Sequence, residues 1–201
     1  MRKVLLTKTA EAISIIFNPF LLGLIILLMT VYKTKFPIDI KFAWYVAVIV
    51  INGFIPSVIY FALRSIGYVF DDGLSNGKVH KQRLILLASL LLLVTIEFLI
   101  LVFTGGTQPF LAVLTGGMLT IILGISITYF WKISWHSAVT TLFSFMLIYI
   151  YSWKAWYAII VLLLIFWSRL YLKRHTIWQL MAGLVIAILV VYGTFRFYNL
   201  S

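Results

Sequence analysis

The chain has 201 residues, of which 64% are hydrophobic and only 10% are charged, and its mean hydropathy is +1.12. This apolar share is far above that of a water-soluble domain and excludes that class. The net charge of +11 would suggest nucleic acid in a soluble protein, but the basic residues are scattered over short loops, so we expect no nucleic-acid partner. Attraction to anionic lipid head groups, together with a phosphate site, explains the charge more simply. The absence of cysteine excludes disulfides and a thiol nucleophile.

Seven apolar segments approach or exceed the roughly 20 residues that a helix needs to cross a bilayer. In chain order they fall near residues 10–32, 42–67, 84–104, 108–131, 137–152, 154–171 and 177–198, and the fifth and sixth are short. The runs lack the alternation of barrel strands, so they predict helices. We therefore predict an all-α, polytopic transmembrane helical bundle, a single domain over residues 1–201, in a prokaryotic cell membrane.

Two polar features interrupt these spans. Asn18-Pro19 predicts a kink in the first span. Glu97 lies near the middle of the third, where a carboxyl group is expected to be protonated or paired with a donor that faces the bundle. The sequence does not name that donor.

Three polar clusters follow alternate spans. Lysine and arginine follow the second span, serine and histidine follow the fourth, and arginine and histidine follow the sixth. An even number of spans separates the clusters, so we expect all of them at one membrane face, where ionisable residues at span ends are functional candidates. In chain order they are Lys78, Lys81 and Arg83; Ser134 and His136; Arg169 and His175.

These residue types suit phosphoryl transfer. Charge on the phosphoryl oxygens needs fixed cations and hydrogen-bond donors, which arginine, lysine and serine supply. Two histidines can act as nucleophile and general acid, because the imidazole pKa lies near neutrality. His175 and Gln179 are four residues apart and share a helix face, so the amide oxygen can accept from one ring nitrogen and leave the other to attack.

The same residues resemble the motifs of the type-2 phosphatidic acid phosphatases, a family that shares its site design with the vanadium haloperoxidases. The family's third motif reads Ser-Arg, five residues, His, three residues, Asp. This chain has Ser168, Arg169, His175 and Gln179 at that spacing, with glutamine in the place of aspartate. The second motif, Pro-Ser-Gly-His, stands here as Ile133-Ser134-Trp135-His136.

The first family motif reads Lys, six residues, Arg-Pro. Arg83 fits its arginine, whereas Asn76 occupies the lysine position and Leu84 the proline. Either Lys78 or Lys81 would have to replace the missing lysine. The resemblance covers roughly residues 65–198.

The resemblance implies a six-helix core with one extra N-terminal helix, and a hydrolysis that needs no metal and no other cofactor. His175 would attack phosphorus to give a phosphohistidine, His136 would protonate the leaving group, and water would then release inorganic phosphate. Gln179 can orient His175 but carries no charge, which predicts slower chemistry, and Trp135 would narrow the phosphate cradle or stack on a lipid tail. The implied phosphate ligands are Lys78 or Lys81, Arg83, Ser134 and Arg169.

Four other functions are conceivable for a helical membrane protein with such clusters. A prenyltransferase needs two acidic clusters to hold magnesium, and the chain has only five acidic residues. A transporter is expected to show repeat symmetry or broken helices near mid-membrane, whereas the polar groups here lie at span ends. A catalytically inert lipid-phosphate binder and a lipid phosphotransferase both stay open.

The expected partners are the lipid bilayer and a membrane lipid phosphate, such as an isoprenyl phosphate or diphosphate, phosphatidic acid or phosphatidylglycerol phosphate. The oligomeric state is left open. The distribution of basic residues slightly favours a cytoplasmic motif face, whereas many members of the family act on the outer face.

Overall fold

The computed structural model describes residues 2–66 and 77–200, with side chains described for residues 2–66 and 84–200. Within these ranges the chain is built of α-helices, so the predicted all-α, polytopic bundle is confirmed. A π-helical segment, Val50–Phe54, joins α3 to α4, and a 3₁₀ turn, Ser152–Ala155, joins α7 to α8. The helices are α1 (Arg2–Ile16), α2 (Pro19–Lys33), α3 (Ile38–Ile49), α4 (Ile55–Ser65), α5 (Gly77–Phe103), α6 (Phe110–Phe130), α7 (Trp135–Tyr151), α8 (Ala158–Tyr171) and α9 (Ile177–Phe197).

In the described part of the chain, four helical segments are long and apolar enough to cross a membrane, and the bent α1–α2 pair makes a fifth if it counts as one span. The four are Ile38–Ser65, Leu84–Phe103, Phe110–Phe130 and Ile177–Phe197. Helices α7 and α8, with 17 and 14 residues, are shorter, as the sequence indicated for the fifth and sixth segments. That these two also cross the bilayer stays a prediction.

The kink predicted at Asn18-Pro19 is confirmed. Helix α1 ends at Ile16, and α2 starts at Pro19 after a bend of 43°. The Asn18 side chain accepts from the Leu21 backbone N–H at 2.9 Å, and proline at the first helical position has no N–H to leave unsatisfied. The first predicted span is therefore two helices that meet at an angle.

Helix α7 is the centre of the bundle and packs against α2, α6, α8 and α9. Small polar side chains allow these close approaches and also bond to the neighbouring helices. The Ser137 hydroxyl donates to the carbonyl oxygen of Leu180 on α9 at 2.6 Å. The Ser144 hydroxyl donates to the carbonyl oxygen of Ala158 on α8 at 2.8 Å.

The closest contact between α7 and α9 is at Gly183. A Cβ atom at this position would lie 2.8 Å from the Ser134 carbonyl oxygen and 3.0 Å from the Ala138 amide nitrogen. The Ser134 N–H also donates to the Gln179 carbonyl oxygen at 3.2 Å. Backbone therefore packs on backbone, which holds the start of α7 against the first turns of α9.

Glu97 has the bundle-facing partner that the sequence could not name. It is fully buried, and its Oε2 accepts from the Asn52 side-chain amide at 2.7 Å. Asn52 belongs to the π-helical segment between α3 and α4, a rare geometry that is frequent at functional sites. The pair ties the α3–α4 helix to α5.

Candidate active site

The second and third predicted clusters meet at one end of the bundle. His136 lies in the first turn of α7, Arg169 in the last turn of α8, and His175 directly before α9. The backbone hydrogen bond from Ser134 to Gln179 joins the two clusters. The structure thus brings these two clusters together, as the parity of the spans predicted.

The predicted cations of the first cluster cannot be placed in the same way. Lys78, Lys81 and Arg83 fall in the first part of α5, and their side chains lie outside the described residues. Their contribution to the phosphate site stays a prediction.

The turn between α8 and α9 has a defined geometry. The Arg174 N–H donates to the Arg169 carbonyl oxygen at 3.1 Å, and the Lys173 N–H donates to the Leu170 carbonyl oxygen at 3.0 Å. This is the Schellman pattern of a helix end, with Lys173 in the left-handed position at φ +52°. It reverses the chain between Arg169 and His175, which keeps both residues at the same end of the bundle.

His175 is oriented by Gln179 at the start of α9. The Gln179 Oε1 accepts from the Thr176 backbone N–H at 3.1 Å, while the Thr176 hydroxyl accepts from the Gln179 N–H at 3.4 Å, which is a capping box. His175 Nδ1 lies 3.1 Å from the same Oε1. Because this atom accepts from a backbone N–H it is the oxygen, so Nδ1 must be the donor and Nε2 carries the lone pair of the neutral ring.

Arg169 and His136 are linked by a residue that the sequence analysis missed. Arg169 is only 2% exposed, and its Nη1 donates to the Ser14 hydroxyl of α1 at 2.8 Å. The same hydroxyl oxygen lies 3.5 Å from His136 Nε2. Ser14 is the residue that was missed. It could have been found from the polar stripe formed by Glu11, Ser14 and Asn18, which are three and four residues apart and so share a helix face.

The remaining residues of the second cluster have structural contacts. Ser134 is fully buried, caps α7 by accepting from the Ser137 N–H at 3.4 Å, and is not among the residues that line the cavity described below. The Trp135 indole packs on Gly124 of α6 so closely that a Cβ atom there would clash with the ring. The missing side chain at Gly124 thus makes room for the tryptophan that replaces the glycine of the family motif.

A cavity of about 670 Å³ extends from this site into the bundle. Beyond its polar end it is lined by side chains of α2 between residues 19 and 27, of α5 between 86 and 94, and of α6 between 113 and 121. Eight residues of helix correspond to about 12 Å, so the cavity runs along the helices for at least that depth. Its polar end is lined by Glu11, Ser14, His136, Arg169, Arg174 and His175.

The polar end suits an anion. Helices α7 and α9 both begin here, and the positive ends of two helix dipoles favour negative charge. The Arg169 and Arg174 guanidinium groups add fixed positive charge beside the two histidines. Among the side chains that the structure describes, no three His, Asp or Glu residues group in a way that could hold a metal ion.

Comparison with known proteins gives one match. The family model of the PAP2 superfamily matches residues 82–201, which run from the start of α5 through both histidine-bearing motifs. Neither a curated protein nor a solved structure matches the chain. Because the matched segment is more than half of the chain and contains both histidine-bearing motifs, the protein belongs to the PAP2 superfamily, that of the type-2 phosphatidic acid phosphatases.

Proposed function

We propose that this protein is an integral membrane lipid-phosphate phosphatase that hydrolyses a phosphomonoester or diphosphate through a phosphohistidine on His175. Members of the PAP2 superfamily are in general phosphatases. The observation that carries the proposal is a cavity with His136, Arg169 and His175 at one end and an apolar lining along three helices beyond it. A lipid phosphate has the same two parts, an anionic head group and a hydrocarbon chain.

The substrate class follows from the depth of the apolar part. A water-soluble phosphate ester would need only the polar end, and the aliphatic lining of α2, α5 and α6 would serve no purpose for it. A hydrocarbon chain gains free energy from such a lining in proportion to its buried apolar area. We therefore assign an isoprenyl phosphate or diphosphate, or a lipid of the phosphatidic acid type, as the substrate.

The chemistry has two half-reactions. His175 Nε2 attacks phosphorus, the bond from phosphorus to the leaving oxygen breaks, and His136 gives that oxygen a proton. In the second half, His136 takes a proton from water, the water oxygen attacks phosphorus, and the phosphorus–nitrogen bond breaks to release inorganic phosphate. Gln179 orients the His175 ring, and Arg169 binds the phosphoryl oxygens.

Four further residues are assigned to phosphate binding on the family pattern. Lys78 or Lys81, together with Arg83, would supply cations from the start of α5. Ser134 contributes by capping the helix whose N-terminus faces the anion, and a direct bond from its hydroxyl to phosphate stays a prediction. No step in this scheme requires a metal ion or another cofactor.

The test is phosphate release by the purified protein in detergent from a panel of lipid phosphates, with EDTA present. We expect release that survives chelation and is abolished in His175→Ala. Arg169→Ala should lose at least about a hundredfold in kcat/KM, since a buried charged ligand of the transition state is removed. Arg196→Ala is the matched control, because Arg196 lies in the last turn of α9, about 30 Å along the helix from its start.

Two other outcomes would replace the proposal. If glycerol is added and the phosphoryl group is recovered only on glycerol, and not as inorganic phosphate, the protein is a lipid phosphotransferase. A folded protein that binds inorganic phosphate but releases none from any lipid would indicate a binding-only relative, for which the loss of the family's aspartate at Gln179 would be the reason.

A further inference from the structure

Helix α1 contributes a side chain to the catalytic end although it precedes the segment matched by the family model. Ser14 is 7% exposed and lines the cavity beside Arg169 and His136. A buried hydroxyl is costly unless it is hydrogen-bonded, so the placement of Ser14 requires an explanation.

Both residues of the Ser168-Arg169 pair hold α1 in place. The Ser168 hydroxyl donates to the Ala10 carbonyl oxygen at 2.7 Å, and Arg169 Nη1 donates to the Ser14 hydroxyl at 2.8 Å. Ala10 and Ser14 are four residues apart, so both contacts are on one face of α1. The helix is therefore docked in a fixed rotation, with Ser14 directed at the catalytic groups.

The hydroxyl group suits this place for a chemical reason. A guanidinium group can only donate, so the Ser14 oxygen accepts from Arg169 and keeps its own proton to give. It can give that proton to His136 Nε2, 3.5 Å away, when the ring is unprotonated there. When Nε2 carries a proton, the hydroxyl oxygen can accept from it, since it has two lone pairs. One hydroxyl can thus pair with Nε2 in both protonation states of the ring, and the pair opens only while Nε2 transfers its proton to or from the reacting oxygen.

We propose that Ser14 is a positioning residue of the phosphatase reaction, which holds the Arg169 guanidinium and the His136 ring toward a common point where the leaving oxygen of the substrate lies. This inference rests on the proposed function and extends the site to a helix outside the matched segment.

The test compares two soluble substrates that differ in their need for a general acid. Nitrophenyl phosphate has a leaving group that departs without protonation, whereas the alkoxide of dodecyl phosphate must be protonated as it leaves. We expect Ser14→Ala to lower kcat about tenfold on dodecyl phosphate and no more than about threefold on nitrophenyl phosphate, because general-acid catalysis matters only for the former. Ser14→Thr keeps the hydroxyl and should restore most of the rate.

The control is Thr9→Ala, which removes an exposed hydroxyl that bonds only within α1, to the Leu5 carbonyl oxygen. It should leave both rates unchanged, and the unfolding temperature of every variant is measured to exclude misfolding. Equal losses on the two substrates, no loss on either, or a Thr variant as slow as the Ala variant would each overturn the inference while leaving the proposed function intact.

If the wild-type protein hydrolyses neither of these substrates nor any lipid phosphate of the panel, the proposed function fails and the positioning of Arg169 is decided by binding alone. Equilibrium dialysis with radiolabelled inorganic phosphate is then expected to give about tenfold weaker binding for Ser14→Ala than for the wild type and for Ser14→Thr. Equal binding by all three proteins would overturn the inference.

Discussion

Two parts of the bundle, one behind the catalytic end of the cavity and one along its apolar part, are built in different ways. On one side, α7 and α9 meet backbone to backbone at Gly183, and serine hydroxyls bond directly to carbonyl oxygens of the neighbouring helices. We call this the tight wall. On the other side, α1 and α2 are bent by 43° at Asn18-Pro19, and Gly23 of α2 lines the cavity. In the described part of the chain, no atom of another helix lies within 4 Å of where its Cβ would stand. We call this the N-terminal wall.

The difference in packing matches the different roles of the two walls. The tight wall carries both histidines and the residue that orients His175, so a shift of a few tenths of an ångström there would separate catalytic groups. The N-terminal wall encloses the apolar part of the cavity, where a hydrocarbon chain needs space and surface rather than directed contacts. Its contributions to the polar end of the cavity are Glu11 and Ser14 of α1. We therefore expect substitutions of the same kind to have opposite consequences on the two walls.

The largest contrast is expected between two glycines. Gly183→Ala should lower the free energy of unfolding by about 2–3 kcal/mol, because the added methyl group meets backbone atoms of α7 that cannot move aside. Gly23→Ala should be neutral or stabilising by about 0.5–1 kcal/mol, the usual helix preference for alanine. Thermal unfolding in detergent measures both.

The control for position within α9 is Gly193→Ala, since the place where its Cβ would stand is also open among the described residues. A Gly183→Ala protein as stable as Gly193→Ala would show that α7 and α9 are not in backbone contact. The same variant should lose activity before it loses its fold, because the hydrogen bond between Ser134 and Gln179 spans this contact.

The next effect concerns charge on the tight wall. Gln179→Glu should raise kcat by about tenfold, because a charge-assisted hydrogen bond to His175 is roughly twice as strong as a neutral one and stabilises the cationic phosphohistidine. Glutamate also completes a capping box with Thr176, so the stability of α9 should not fall.

Gln179→Leu is the matched opposite and should lower kcat, because the ring loses the acceptor at Nδ1. Steady-state kinetics on the lipid phosphate that the wild-type protein hydrolyses fastest measures kcat for both variants. If glutamate gives no gain, Gln179 does not act through His175 and the neutral residue is not what slows the reaction.

A smaller effect tests how the N-terminal half is joined to the matched segment. A double-mutant cycle of Asn52→Ala and Glu97→Ala should give a coupling energy of about 1 kcal/mol, typical of a hydrogen bond between membrane helices. A parallel cycle replaces Asn52→Ala with Ser89→Ala and should give a coupling energy near zero, because the Ser89 hydroxyl bonds within α5 to the Leu86 carbonyl oxygen. Equal couplings in the two cycles would contradict the Asn52–Glu97 bond.

The smallest effect is expected at the turn between α8 and α9. Lys173→Gly should raise the free energy of unfolding by about 1 kcal/mol or less, because glycine adopts the left-handed conformation without the cost of a Cβ atom. Lys154→Gly should instead lower the free energy of unfolding, because Lys154 is exposed and has no positive φ that glycine would relieve. Chemical denaturation of the two variants compares them, and a loss at Lys173 would mean that its side chain makes a contact of its own.

Particular residues show how far the sequence alone leads. Long apolar runs dictate helices, since unpaired backbone groups cannot lie in lipid, and the all-α bundle followed from that constraint. The kink was predictable because proline cannot continue a helix and asparagine caps one. The meeting of His136 with Arg169 and His175 followed from counting spans. The bond from His175 to Gln179 was predicted from a shared helix face, but His175 lies before the Thr176 N-cap of α9, so that face was wrong although the contact forms. These inferences depend on local chemistry or on parity, both of which a sequence contains.

Only the tertiary structure decided the contacts between distant helices. Ser14 and Arg169 are separated by 155 residues, and Asn52 and Glu97 by 45. The periodicity of a helix tells which residues share a face but not which helix that face meets, because in lipid an apolar face has no preferred neighbour and packing selects the partner. The same reason explains why the place of Trp135 against Gly124 could not be read from its motif: the space for an indole ring exists only where another helix lacks a side chain.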